Sequence, residues 1–233
     1  MGAPTTEYPA SVAAIVLCAA AGLLAGLAAE KAARRLLPEL HVGHLRSNGL
    51  AVAATTGVLF GAMAWQFGLS WTLPALLYLA VAGVVLSRID LQHRLLPNAL
   101  VFPSFLVGLA LLFVDAAAQG RWGNLVLGAA GVAVMFVVYL ILALISPRGL
   151  GMGDVKHSAV LGLYLVYLAL EPLMLGMFLG FLVGAVTGGV LVIAGLAGRR
   201  TAVPFGPSMV SGAILAVLFG QEIGHFMLPA LCA

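Results

Sequence analysis

The stretch Gly149-Leu150-Gly151-Met152-Gly153-Asp154-Val155-Lys156 is a polar, glycine-rich break between two long apolar runs, and it holds one of the three aspartates in the 233-residue chain. It ends one hydrophobic segment and begins the next. A carboxylate beside lipid is costly to keep, so Asp154 calls for either a structural or a chemical role.

The composition around it fixes the class. Hydrophobic residues make up 63% of the chain and charged residues 8%, with a mean hydropathy of +1.14. A water-facing surface would need far more charge, so a soluble domain is excluded. The apolar runs are continuous and long, where a barrel would show alternating segments of about ten residues. The expected fold is all-α: a polytopic membrane helical bundle of about eight transmembrane helices, with residues 1–233 forming one membrane domain and no separate soluble domain. Lipid is the expected surrounding, and no nucleic-acid partner is expected.

Outward from the glycine-rich break, the preceding span runs from about Leu125 to Ser146, ended by Pro147, and the following one from about Val155 to Leu170. A seventh covers about Leu173 to Ala197 and an eighth begins at Ser208, after the link Thr201-Ala202-Val203-Pro204-Phe205-Gly206-Pro207. Towards the N-terminus, spans are expected over about Ser11–Ala29, Gly49–Phe67, Trp71–Ser87 and Ala99–Val114, with Asn98 as the cap of the last and Asp115–Asn124 as a hydrophilic turn. Residues 1–10 carry Glu7 as their one charge and lack the basic start of a signal peptide, so the first helix is expected to be retained. Met1-Gly2 with Thr6 fits a myristoylation pattern only formally. His41 and His44 have no third ligand close in sequence and Cys18 and Cys232 form no Cys-x-x-Cys pair, so no metal is assigned.

Charge asymmetry sets the orientation. With the N-terminus outside, ten of the eleven Lys and Arg residues fall in inside loops and only Arg121 falls outside. The positive-inside rule predicts such a bias. It places Asp90 and Asp154 in two loops on the same, cytoplasmic, face. Gly176, Gly180, Gly184 and Gly188 recur every four residues along the seventh span and predict a close helix contact, with Gly22/Gly26 and Gly57/Gly61 as weaker versions.

Each aspartate has a structural explanation when taken alone. Asp154 suits an N-cap, and Asp90, beside Arg88, His93 and Arg94, suits a solvated ion pair of small worth. Taken together they suggest chemistry. Two carboxylates held close cannot both ionise cheaply; they share a proton, so that one acts as base and the other as acid. A base that activates water and an acid that protonates the leaving amine make up aspartyl protease chemistry. Gly151 and Gly153 would let an extended substrate approach the backbone.

Three motifs carry a family resemblance: Ile89-Asp90 with Leu95-Leu96-Pro97-Asn98, then Gly151-Met152-Gly153-Asp154-Val155-Lys156, then Val203-Pro204-Phe205-Gly206-Pro207. In this order, over about residues 75–215, they resemble the type IV prepilin peptidases, the bacterial branch of the Gly-x-Gly-Asp membrane aspartyl proteases. The resemblance implies Asp90 and Asp154 as the catalytic pair, and cleavage of the leader of prepilins or pseudopilins at the cytoplasmic face of the bacterial inner membrane, in a pilus or type II secretion context. Gly151, Gly153, Lys156, Pro97, Asn98, Pro204 and Gly206 would bind substrate or shape the site, with Lys156 also a headgroup anchor and Pro204 and Gly206 as loop-shaping residues.

One departure stands out. Many members carry a larger cytoplasmic domain with zinc-binding cysteine pairs and also N-methylate the product with S-adenosylmethionine; here the corresponding region is only about residues 30–48 and has no cysteine. The expectation is a peptidase without cofactor, with methyltransferase activity in doubt. Two other classes fit the same acidic span ends: a proton- or cation-coupled transporter, and a non-catalytic scaffold of a pilus or secretion system. The absence of a detectable internal repeat speaks against the transporter.

Overall fold

A computed structural model describes residues 11–37, 49–146, 149–195 and 204–227, without the side chains of 221, 222 and 224–227. Among them the chain forms eight α-helices and no strand: α1 (Val12–Leu36), α2 (Gly49–Phe67), α3 (Leu73–His93), α4 (Asn98–Gln119), α5 (Trp122–Ile145), α6 (Met152–Leu168), α7 (Leu170–Ile193) and α8 (Gly206–Met227). Six of these, α1 to α5 and α7, are long and apolar enough to cross a membrane. α6 has 17 residues, and α8 carries a shorter apolar run, Gly206–Gly220. The chain is a multi-pass helical membrane protein. His41, His44, Arg46, Arg148, Arg199, Arg200 and Cys232 lie outside the described residues.

The helices fall into two compact units: Met1–Val85 with Phe102–Arg121, and Leu86–Val101 with Trp122–Ala233. In the first, α1 lies along α2. A Cβ on Gly22 would come 2.7 Å from the Phe60 ring and one on Gly26 2.9 Å from the Ala53 Cα, so the two backbones approach as only glycine permits. The pairs read as weak in the sequence thus form a tight crossing. Thr56, fully buried there, donates its hydroxyl to the Val52 carbonyl at 2.7 Å.

The hydrophilic turn expected at Asp115–Asn124 is shorter than the sequence suggested. α4 continues to Gln119, and Asp115 is fully buried. Its carboxylate accepts from the Thr72 hydroxyl at 3.2 Å and from the Gln119 amide, with the Arg121 guanidinium 3.9 Å away. A carboxylate so surrounded can remain inside a helix, because its charge is met by donors on neighbouring turns.

In the second unit α5 packs along α6 and α7 along α8, and α6 also touches α7 and α8. Twelve of the 17 α6 residues are buried, including every one from His157 to Tyr167. A helix buried on all sides can be short because its neighbours, rather than lipid, surround it. Gly131 on α5 and Gly162 on α6 face each other with carbonyl oxygens where their Cβ atoms would be. Ser158 donates to the Met135 carbonyl at 3.1 Å, and Asn124 to the Tyr167 carbonyl at 2.9 Å, fixing both ends of that pairing. Along α7, Gly176 faces Ala213 and Leu165, Gly180 faces Met209 and Ser208, and Gly184 faces Phe205; Gly188 has nothing within 4 Å among the described residues. The four-residue glycine repeat is therefore a seat for the start of α8 over three of its four positions.

Candidate active site

The three sequence motifs meet within the second unit. α3 extends past the expected end at Ser87 to His93, so Asp90 lies in its last turn. There Arg94 takes a left-handed backbone (φ 52°) and its N–H closes on the Asp90 carbonyl at 2.8 Å. This conformation ends helices but disfavours a residue with a Cβ. The chain then turns through Leu95 to Pro97, whose carbonyl accepts the N–H groups of Leu100 and Val101 and opens α4.

Asp90 is 4% exposed, so it is no solvated ion-pair member. Its Oδ2 accepts the backbone N–H of Gly206 at 2.8 Å across 116 residues of sequence. A Cβ on Gly206 would lie 2.8 Å from that same oxygen, so the carboxylate rests against bare backbone. Gly206 is the first residue of α8. The unpaired N–H groups and the dipole at a helix start favour an anion there, which offsets part of the cost of burial.

Asp154 is not the N-cap of α6. Gly151 holds that position with an extended backbone, and Asp154 is the third helical residue. Its Oδ2 reaches back to the Gly151 N–H at 2.9 Å, as acidic residues at this position commonly do. That explains one oxygen. The other, Oδ1, is buried and has no hydrogen-bond partner among the described residues. Asp154 precedes the apolar run that begins at Val155. Burial pushes its carboxyl up to about 6, against the pull of the Gly151 N–H, and negative charge on Asp90 pushes it further up. The two carboxylates are therefore within electrostatic reach of each other.

Backbone contacts bring their loops together. A Cβ on Gly153 would sit 2.9 Å from Leu96 Cβ and 3.3 Å from the Leu96 carbonyl oxygen. Leu96 itself is buried. Nearby, exposed Lys156 donates to Asn98 Oδ1 at 3.0 Å. Asn98 is the first residue of α4 rather than its cap, and its side chain turns to the lysine instead of the helix start. Pro204 stands just before α8, and Gly206, expected only to shape the loop, supplies the N–H on Asp90.

Sequence reasoning missed three rings beside these groups. Tyr139 on α5 is buried and lies within electrostatic reach of Asp154. It stacks on Phe181 of α7 with centroids 5.6 Å apart, and Phe205 lies 5.4 Å from Phe181 and 6.3 Å from Tyr139. Tyr139 is the one hydroxyl in the run Leu125–Ile145, a signal that was available. His157, also buried in α6, has neither ring nitrogen in a hydrogen bond among the described residues.

The pattern of the Type IV leader peptidase family matches residues 76–193, which include Asp90 and Asp154. This chain belongs to that family. It is 34% identical over 177 residues to a prepilin leader peptidase/N-methyltransferase of Stutzerimonas stutzeri, an alignment covering 74% of this chain and 58% of the relative. To the Bacillus subtilis protein of that name it is 31% identical, over 76% of this chain and 68% of the relative. A Neisseria gonorrhoeae relative with the same name is 36% identical, over 69% and 54%. The chain thus spans little more than half the length of several curated relatives that it matches. No solved structure matches it. Cys18 lies within α1, and among the described residues no three His, Cys, Asp or Glu side chains form a group that could hold a metal ion.

Proposed function

We propose that this chain is a membrane-embedded aspartyl endopeptidase that removes the leader of prepilins or pseudopilins at the cytoplasmic face of the bacterial inner membrane. The observation that carries this reading is the convergence of the three motifs on a buried and a half-buried carboxylate, Asp90 and Asp154: Gly206 N–H on Asp90, Gly153 against Leu96, and Lys156 on Asn98. The names of the relatives supply the substrate class.

Asp90, backed by the α8 start, is the ionised partner and acts as general base on water. Asp154, pushed up to about 6 by burial and further by the charge on Asp90, is the member of the pair that holds a proton more readily, and it acts as general acid. Water attacks the scissile carbonyl as Asp90 takes its proton. Asp154 then protonates the oxyanion, and the amide C–N bond breaks as the new amine gains a proton from the pair. Asp154 Oδ1, buried and without a hydrogen-bond partner among the described residues, is the oxygen that can carry the proton. This chemistry needs water, a peptide and two carboxylates, with no cofactor. Only the peptidase part of the relatives' names is carried over, because the region of the methyltransferase-associated zinc module has no cysteine.

The test is cleavage of a co-expressed prepilin by wild type, Asp90→Asn and Asp154→Asn, with membrane levels of each measured. The proposal expects a shortened product with wild type and uncut substrate with both variants at normal abundance. A well-accumulated variant that still cuts would remove that aspartate from the mechanism. Ion or proton flux lost on the same substitutions, without any cleavage by wild type, would favour a transporter.

A further inference from the structure

We propose that Phe205, clasped by the rings of Tyr139 and Phe181 and seated on Gly184, is a positioning residue that sets the Gly206 N–H on Asp90. The inference rests on the peptidase reading above and extends it to residues outside the motif positions assigned so far.

Phe205 stands one residue before the donor, and its own carbonyl accepts the Met209 N–H at 3.1 Å, which begins α8. Wherever Phe205 is fixed, the Gly206 N–H is fixed too. Its ring is held from two sides, 5.4 Å from Phe181 and 6.3 Å from Tyr139, while those two stack at 18°. On the third side lies α7 at Gly184, where an added Cβ would come 2.6 Å from the Phe205 Cε2 and 3.1 Å from its Cδ2. A side-chain end usually yields to such a clash, but this one has rings behind it. The missing side chain at Gly184 therefore makes room for Phe205. One member of the cluster, Tyr139, also lies within electrostatic reach of the other carboxylate, Asp154. A chain of packed groups thus runs from Gly184 through Phe205 to the bond on Asp90, and its displacement is felt at the reacting pair. A shift of about 1 Å in such a group lowers turnover on the order of 100-fold.

The experiment uses the full chain in detergent with a prepilin substrate. It compares wild type, Gly184→Ala, Phe205→Leu, their double variant, and Gly188→Ala, whose Cβ meets nothing within 4 Å among the described residues. The first two are expected to lower kcat by about tenfold or more with KM within about twofold, as for a residue acting on geometry rather than on binding. Gly188→Ala should match wild type. Because Phe205→Leu removes the atom that Gly184→Ala strikes, the double variant should lose no more than Phe205→Leu alone. A second readout does not depend on cleavage: in protein labelled with 15N-glycine, the Gly206 amide proton should move upfield in Gly184→Ala and in Phe205→Leu, and stay in place in Gly188→Ala. An unmoved Gly206 resonance in both variants overturns the proposal, as does a double variant whose loss is the product of the singles. Should wild type cut nothing, the peptidase reading fails, and the Gly206 resonance still decides whether Phe205 sets that bond.

Discussion

Replacing Gly153 by alanine separates the geometry of the site from the stability of the fold. Gly153 is the second residue of α6, and its Cβ would meet Leu96 Cβ at 2.9 Å and the Leu96 carbonyl oxygen at 3.3 Å. Leu96 has little freedom to retreat, because its side chain is buried and its neighbour Pro97 has a locked φ. Overpacking of this kind costs about 1–3 kcal/mol. Alanine in place of glycine within a helix returns up to about 1 kcal/mol. The net effect on stability is therefore small, roughly 0–2 kcal/mol of loss. The effect on catalysis has no such offset, because moving the Asp154 turn away from the Asp90 loop alters the pair itself. If the 1–3 kcal/mol falls on the transition state, leader cleavage slows by about 5- to 150-fold. Initial rates on a prepilin substrate, with thermal unfolding of the same preparation in detergent, measure both quantities. A variant that unfolds with wild type and cuts at the wild-type rate would refute the claim that the Gly153–Leu96 contact holds the two loops in register.

Two further outcomes concern Asp115 and Asp154. Asp115→Ala leaves the Thr72 hydroxyl, the Gln119 amide and the Arg121 guanidinium without their shared acceptor, and is expected to destabilise the protein by about 3 kcal/mol or more, read as lower membrane abundance and a lower Tm, with the specific activity of the remaining protein unchanged. Burial raises Asp154 from 3.8 to about 6, so between these values the folded protein holds a proton that the unfolded chain releases. The contribution of this group to stability therefore falls as pH rises from about 4 to about 6. Asp154→Asn should remove that slope in a comparison of Tm at pH 4.5, 5.5 and 7, and an identical slope in both proteins would refute the shift.

The helical fold was legible because lipid imposes a simple demand: long apolar runs separated by polar islands. Helix ends were not, for a physical reason that Asp90 and Asp115 illustrate. Both were read as loop residues because they are charged, yet each lies inside a helix, since a backbone N–H or a set of side-chain donors meets its charge. The glycine pairs on α1 and α2 were underrated because a four-residue spacing in apolar sequence carries no sign of which face meets a neighbour. Within the site, the motif residues were recognisable by resemblance, while their contacts were not: Lys156 and Asn98 are 58 residues apart, and nothing in that spacing encodes a 3.0 Å bond. Phe205 stood in a quoted motif without a role because an aromatic residue in apolar sequence has no distinguishing mark until its neighbours are placed.

In the proposed mechanism Asp90 and Asp154 work as one unit. The measurement that tests it most directly is the residual rate of leader cleavage by Asp90→Asn, by Asp154→Asn and by the two substitutions combined, each normalised to folded protein. Groups that share one proton in one step are non-additive when removed, so the account predicts that either single substitution abolishes most of the activity and that the double variant is no slower than the worse single. A double variant slower by the product of the two single effects, or a single variant that retains the wild-type rate, would contradict it.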